Sequence, residues 1–227
     1  MKFIYQKIFL FLIFSFTLFH TACNDSKDFN EGSSYKTVEI GDQVWMAENL
    51  NVSRFRNGDL IPEAKSKEVW EKESKEKKPA WCHYDNNPAN SKKNGKLYNW
   101  YAIIDSRGLA PVGWHVPSIE EWEKLFDNLG GKEIAGKKMK SFWGYKYFKG
   151  NGTNEIEFNG RPGGFRSTYM DFHGQGKYGC WWSNSNKYNN SGNEVGQCIG
   201  FGVYTLDEAF IAEDDLNGGL SVRCLRD

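Results

Sequence analysis

Nine tryptophans, eleven tyrosines and sixteen phenylalanines are spread through 227 residues that also hold 24 glycines and only six prolines. Large rings need buried space, while glycine at this frequency breaks up long regular elements. The pattern therefore predicts short strands, tight turns and irregular loops around an aromatic core. It excludes a disordered chain, which is poor in aromatics and biased in charge. Lys+Arg 29 balance Asp+Glu 29, whereas a nucleic-acid binder needs a basic surplus for phosphate contacts. With a mean hydropathy of -0.66 and a single apolar run, the chain is not a polytopic membrane protein.

That run lies at the start. Lys2 and Lys7 precede a twelve-residue apolar stretch, Ile8 to Phe19, interrupted only by Ser15 and Thr17. It is too short to span a bilayer comfortably, and His20-Thr21-Ala22-Cys23 follows it. The segment resembles a bacterial lipoprotein leader, residues 1–22, in which small residues precede a cysteine that is acylated and becomes the first mature residue. Cys23 is then the lipidation site. Its acyl chains exceed the two signals that stable anchoring requires. Asn24, rather than Asp, follows Cys23 and permits sorting to the outer membrane. The mature chain, Cys23 to Asp227, carries a formal charge of −2 once Lys2 and Lys7 are removed. Residues 23–36, polar and containing Gly and Ser, read as a tether between lipid and domain.

Residues 37–227 carry the fold. Thr37 to Ile40 and Gln43 to Met46 alternate around Gly41-Asp42 and predict a hairpin with a two-residue turn. Segment 65–78 holds ten charges in fourteen positions, with Glu68/Lys72, Glu71/Lys75 and Glu73/Lys77 spaced i,i+4, and reads as a solvated helix or an insertion that Pro79 ends. Ser118-Ile119-Glu120-Glu121 is a capping box. Ile119, Trp122, Leu125, Phe126 and Leu129 follow at helical spacing, and Gly130-Gly131 stops the helix. A short second helix fits Lys132 to Ser141. From Phe142 onward, Gly, Asn and aromatic residues alternate with short apolar stretches and predict strands and loops. The fold class is α+β, with short strands, one or two clear helices and long loops. Trp45, Trp100, Trp114, Trp122 and Trp181 stand in apolar patterns and read as core.

Four cysteines remain after Cys23: Cys82, Cys180, Cys198 and Cys224. An even number in an exported domain favours disulfides, with three connectivities open. No pair has the spacing of a CxxC redox or zinc site. Cys180 and Cys198 fall in two successive strand-like stretches that a hairpin would bring together.

Catalytic chemistry has no motif here. HExxH, G-x-S-x-G, a P-loop and an EF-hand loop are all missing. His115 precedes the capped helix without a neighbouring nucleophile and reads as a hydrogen-bonded structural histidine. His173 has an acidic neighbour, Asp171, but no further metal-ligand spacing. No metal or other cofactor is expected; Asp85 and Glu213-Asp214-Asp215 are the oxygen-rich places a calcium ion would use. Asn184, Asn186, Tyr188, Asn189, Asn190 and Asn193 lie in a polar stretch, 184–196, that reads as an exposed recognition loop.

A resemblance covers about 37–227. Val44-Trp45-Met46-Ala47-Glu48-Asn49-Leu50-Asn51, Pro79-Ala80-Trp81-Cys82 and Asp85-Asn86-Asn87-Pro88-Ala89-Asn90 occur in order. They are followed by Gly95-Lys96-Leu97-Tyr98-Asn99-Trp100-Tyr101-Ala102 and Leu109-Ala110-Pro111-Val112-Gly113-Trp114-His115-Val116-Pro117-Ser118. Pro162-Gly163-Gly164-Phe165-Arg166, Trp181-Trp182-Ser183 and Ser221-Val222-Arg223-Cys224-Leu225-Arg226-Asp227 complete the series. The chain resembles the Fibrobacter succinogenes major paralogous domain. This resemblance implies an irregular α+β architecture similar to the C-type lectin-like and formylglycine-generating-enzyme folds. It also implies an exported lipoprotein or secreted module, without fixing a molecular function. It makes Cys82 and Cys224 natural disulfide partners and leaves Cys180 with Cys198. Ser91 and Ala110 stand where many relatives carry cysteines, so pairs at those places do not transfer. The carboxylate sets of calcium-dependent lectins and the close cysteine pair of formylglycine generation are also missing.

The sequence thus points to a lipid-anchored protein of the cell envelope, on an outer membrane facing periplasm or cell surface. Its role is read as non-catalytic binding of an extracellular glycan or protein partner. An enzyme that modifies polysaccharide or protein through scattered carboxylates, and a structural envelope component, are the alternatives.

Overall fold

Alternating side chains at Thr37 to Met46 form the expected hairpin. β1 (Thr37–Ile40) pairs with β2 (Gln43–Met46) in antiparallel register, Ile40 opposite Gln43, and Gly41 takes a left-handed φ of 61° in the turn. The computed structural model describes residues 35–146, 151–202, 204–205 and 207–227. The leader, Cys23 and the tether as far as residue 34 lie outside the described residues. Among the described residues, no helix is long and apolar enough to cross a membrane.

Downstream of β2 the chain forms α1 (Lys67–Lys75), β3 (Trp81–Cys82), α2 (Pro88–Asn94), β4 (Leu97–Tyr98) and α3 (Trp100–Ile103). It continues through β5 (Trp114–His115), α4 (Ile119–Asn128), α5 (Lys132–Met139), β6 (Phe165–Arg166) and β7 (Phe172–His173). β8 (Tyr178–Tyr188), β9 (Glu194–Gly202), β10 (Phe210–Asp215) and β11 (Leu225–Arg226) end it. The architecture is mixed α+β. One sheet has the order β1-β2-β11-β5, a second β10-β9-β8, and β3-β4 and β6-β7 form two small ribbons.

The charged segment is a helix with a buried foot. Lys75 and Glu71 pair at 2.7 Å on its open side, while Trp70 is fully buried and donates its indole N–H to the Asn217 carbonyl at 2.9 Å. α4 carries the complete capping box, with Ser118 Oγ accepting from the Glu121 N–H and Glu121 accepting from the Ser118 N–H. The expectation of one or two clear helices is too low, since the described residues form five. α2 and α3 are short and each starts at an asparagine. Asn87 accepts from the Ala89 N–H with Pro88 next to it, and Asn99 accepts from the N–H groups of Ala80 and Ala102. These caps stabilise one or two turns that lack any apolar periodicity.

The C-terminal segment runs through the middle of the domain. Every residue from 218 to 225 is buried, and its backbone groups bond to partners from across the chain. Arg166 and Gly219 exchange hydrogen bonds of 2.8 Å, as do Tyr98 and Leu220 at 2.9 and 3.1 Å. The Ser221 carbonyl accepts from Trp182, Val222 from Leu50, and Cys224 from Met46. Gly219 lies against Trp70, where an added Cβ would come within 2.9 Å of the indole.

The three-stranded sheet separates two cores. Its pleat sends Trp182, Cys198 and Ala212 to a cluster with Met46, Leu50, Tyr98 and Trp100. The opposite face sends Trp181, Ile199, Phe201 and Ile211 to Trp45, Trp122, Phe126 and Phe158. A third, smaller cluster gathers Ala64, Trp70, Cys82, Tyr84 and Leu97. All five tryptophans read as core, Trp45, Trp100, Trp114, Trp122 and Trp181, are buried. Gly196 lets Trp100 and Trp182 meet edge to face at 5.4 Å, because a Cβ there would stand 2.6 and 2.7 Å from the two rings.

Two expectations change at this level. Stretch 184–196 is mostly not a loop: Asn184, Asn186 and Tyr188 belong to β8, and only Asn189 to Asn193 turn the chain into β9. The Asn189 carboxamide accepts from the N–H groups of Ser191 and Asn193, which lets a polar sequence close a tight hairpin. Cys82, Cys180, Cys198 and Cys224 are free thiols, so neither Cys82–Cys224 nor Cys180–Cys198 is bonded in this structure. Cys82 and Cys224 belong to different core clusters. Cys180 and Cys198 share one face of neighbouring strands in diagonal register, Cys180 opposite Gly200 and Cys198 opposite Trp182. Burial pushes the thiols of Cys82, Cys180 and Cys224 up to about 12 and holds them protonated.

Candidate functional site

Both ends of the turn that leaves β2 are fixed on the C-terminal segment, by the bonds from Met46 to Cys224 and from Leu50 to Val222. Between them, Asn49 reaches inward. Its carboxamide oxygen accepts from Trp181 Nε1 at 2.8 Å and from Arg223 Nε and Nη2 at 3.1 and 2.6 Å, and its amide donates to the Asn94 carbonyl at 2.8 Å. That last bond seats the C-terminal end of α2 beside the turn. Gly95 ends α2 at a φ of 73°, and a Cβ there would lie 2.7 Å from the Leu50 carbonyl oxygen. Glycine is required on both counts.

This junction leaves an open groove made of two adjoining cavities of about 480 and 350 Å³. They share Glu48, Asn49, Lys92 and Lys93. The larger extends along Asn51, Ser53, Arg54 and Ser91 to Tyr35; the smaller continues to Lys36, Asn159, Arg161 and Arg223. Four stretches of chain far apart in sequence thus converge with the C-terminal segment on one polar surface.

Arg223 forms part of its floor and is fully buried. Besides Asn49, its guanidinium donates to the carbonyls of Met46 and Phe158 and stands 4.3 Å over the Phe158 ring. Among the described residues no carboxylate forms an ion pair with it. Burial, with the Arg161 charge adding to it, pushes Arg223 down to about 9, which leaves it charged at neutral pH. Lys36, Arg54, Lys92, Lys93 and Arg161 also line the groove, against the single carboxylate of Glu48. Such a surface can hold a hydrophilic ligand by hydrogen bonds and charge. Polar atoms make up most of its wall.

The residues singled out from sequence lie elsewhere. His115 is clasped between two carboxylates, Nδ1 to Asp227 at 2.8 Å and Nε2 to Glu121 at 3.0 Å. Both ring nitrogens are occupied, so neither is open to take a proton from a substrate, and the trio fastens the C-terminus to the start of α4. His173 is exposed on β7 with its ring against Phe165. Asn184, Asn186, Tyr188, Asn189, Asn190 and Asn193 lie on the β8–β9 hairpin and line neither cavity. Asn49, Lys92, Lys93, Arg161 and Arg223 were not singled out. Arg223 was visible as the one charge inside Leu220 to Leu225, an otherwise buried-looking run.

The acidic run does not gather into a ligand set. On β10 the pleat sends Asp214 to one face and Glu213 and Asp215 to the other, and Glu213 pairs with Lys187. Among the described residues no group of three or more His, Cys, Asp or Glu is arranged to hold a metal ion.

Fold and groove together define a mixed α+β domain assembled around a buried C-terminal segment. The chain belongs to the Fibrobacter succinogenes major domain family, which matches residues 38–226. No curated protein and no solved structure matches the chain.

Asp214 supplies a measurable signature of this packing. It faces the side of the sheet that carries Cys180 and Cys198, and burial raises its carboxyl from 3.8 to about 6. Between those values the folded chain holds a proton that the unfolded chain has released. The stability Asp214 contributes is therefore full below its unfolded value and is lost as pH rises through the folded one. Asp214→Asn should gain on the wild type by roughly 2 kcal/mol between about pH 4 and pH 7, read from urea midpoints. A difference that stays constant across that range would contradict the assignment.

Proposed function

We propose that the protein is an exported lipoprotein of the cell envelope, anchored through Cys23, whose domain binds an extracellular glycan without turning it over. The observation that carries the binding reading is the groove. Its polar lining comes from several loops and the end of α2, held against one buried C-terminal segment. A site held this way is pre-organised, and a ligand loses little affinity to ordering it. Glycan hydroxyls suit the amide and hydroxyl groups of Asn51 and Ser53 better than an apolar ligand would.

The reading extends to kinship with C-type lectin-like architecture, supported by the small separate sheets and short elements. It also includes an outer-membrane location facing periplasm or surface, for which the leader and Asn24 are the support. Tyr35 and Lys36, which line the groove, are the last two residues of the tether. From Cys23 to Tyr35 the chain can span at most about 40 Å, so the groove would work close to the membrane. The enzyme reading has one specific candidate, His115 with Asp227 and Glu121, and its two occupied nitrogens argue against it.

Two measurements test this. Metabolic acyl labelling should mark the wild type and not Cys23→Ala; equal labelling of both would remove the anchor. Purified protein incubated with envelope glycans, host glycans and peptides should retain a glycan and release no product. Reproducible turnover that disappears on replacing His115, Asp227 or Glu121 would replace the binding reading with the enzyme.

A further inference from the structure

The charge of the groove is local. The chain as a whole balances 29 basic against 29 acidic residues, yet six cations and one carboxylate line this surface. Elsewhere, several surface lysines have acidic partners: Lys75 pairs with Glu71, Lys124 with Asp42 and Lys187 with Glu213. Among the described residues, Lys36, Lys92, Lys93 and Arg161 make no ion pair. They come from the tether's root, the last turns of α2 and the loop before β6, so folding assembles the cluster from three distant places. Folding thereby gathers like charges against their mutual repulsion, with only Glu48 to offset it.

Arg223 adds a second, independent observation. It is a buried guanidinium whose hydrogen bonds all end on neutral oxygens, those of Asn49, Met46 and Phe158. Carbonyl oxygens satisfy its donors but do not cancel its charge, and a buried charge without a counter-charge is costly. In the smaller cavity the one acid, Glu48, is outnumbered: Arg223 is joined there by Lys36, Arg161 and the two lysines of α2. An anion seated there would be attracted by every one of these groups in a partly desolvated setting, where Coulomb interactions are stronger than in bulk water.

We infer that the groove binds an anionic saccharide, with its carboxylate, sulfate or phosphate group among Lys36, Lys92, Lys93 and Arg161 above Arg223. This inference rests on the glycan-binding reading and names its ligand class. The neutral part of the sugar runs along the larger cavity, where Asn51 and Ser53 meet hydroxyls. Polysaccharides and membrane headgroups both carry such acidic groups; the hydroxyl-matching lining at Asn51 and Ser53 favours the polysaccharide.

The test is affinity electrophoresis of the purified full chain through gels containing polygalacturonate, a sulfated galactan or neutral dextran. Flotation with vesicles of phosphatidylglycerol and phosphatidylcholine in equal parts runs alongside. Retardation by an acidic polysaccharide and not by dextran is expected, weakening as salt is raised. The double variant Lys92→Glu/Lys93→Glu and the single variant Arg161→Glu should each weaken retention by about tenfold or more, as expected for reversing a contact charge. Lys72→Glu/Lys75→Glu on α1 changes net charge as much as the first and should leave retention intact. Equal circular dichroism and melting temperature in all variants would place any loss in the groove.

Equal loss in the α1 control would reduce the effect to general electrostatics and overturn the inference. Dextran retained as well as the acidic polymers, with no effect of charge reversal, would overturn the ligand class and keep the glycan reading. Capture by vesicles alone would assign the groove to lipid headgroups. Retention of no saccharide of either kind would overturn the glycan reading itself.

Discussion

A guanidinium sealed inside the domain holds its distant parts in register. Arg223 donates to Met46 at the end of β2, to Asn49 in the next turn and to Phe158 in the second core. The buried segment that carries it meets Arg166, Tyr98, Trp182, Leu50 and Met46 through backbone bonds. Hydrogen bonds to a charged donor contribute about 1.5–3 kcal/mol each, and a misplaced partner would leave a buried charge exposed to an apolar wall. Correct assembly of the first and last thirds of the chain is thus enforced by the cost of every alternative. The groove is a consequence, since Asn49 can reach Arg223 only if the β2 turn folds back over the C-terminal segment.

The same solution recurs around the molecule. Lys96 bonds the Asn51 carbonyl at 3.0 Å and stands 4.1 Å over Trp81. Arg166 bonds the carbonyls of Met170 and Ser66 and lies 4.8 Å from the rings of both Trp70 and Phe172. Lys140 bonds the Gly202 carbonyl at 2.6 Å, and burial pushes its ammonium down to about 8. Irregular backbone leaves carbonyls outside long ladders, and aromatic faces attract cations. A chain of short elements therefore has unused acceptors and ring faces, and buried cations bind them together. The many tryptophans serve as core filler and as cation platforms at once.

Local signals in the sequence carried well. The β1–β2 hairpin rests on alternation and Gly41-Asp42, and α4 on Ser118 with Glu121; both form as written because their determinants lie within a few residues. α2 and α3 lack periodicity and depend on Asn87 and Asn99, whose capping role shows only against their structural partners. Stretch 184–196 looked like a loop by composition, but pairing with β9 overrides the low strand preference of asparagine. The groove was the least legible feature. Lys36, Lys92, Arg161 and Arg223 are ordinary in sequence and become a site only when the C-terminal segment brings their parts of the chain together. The motifs that carried the family resemblance already contained Asn49 and Arg223, without saying that they touch.

The central claim is that the buried C-terminal segment unites the domain, and native-state hydrogen exchange tests it most directly. The amides of Met46, Leu50, Tyr98, Arg166 and Trp182 donate to carbonyls of residues 219–224 from separate regions of the chain. If that segment is the common tie, all five exchange only through global unfolding, with one shared free energy and one shared denaturant dependence. Distinct tiers, with Met46 and Leu50 opening well before Tyr98, Arg166 and Trp182, would show that the N-terminal hairpin folds and unfolds without the segment and would contradict the account.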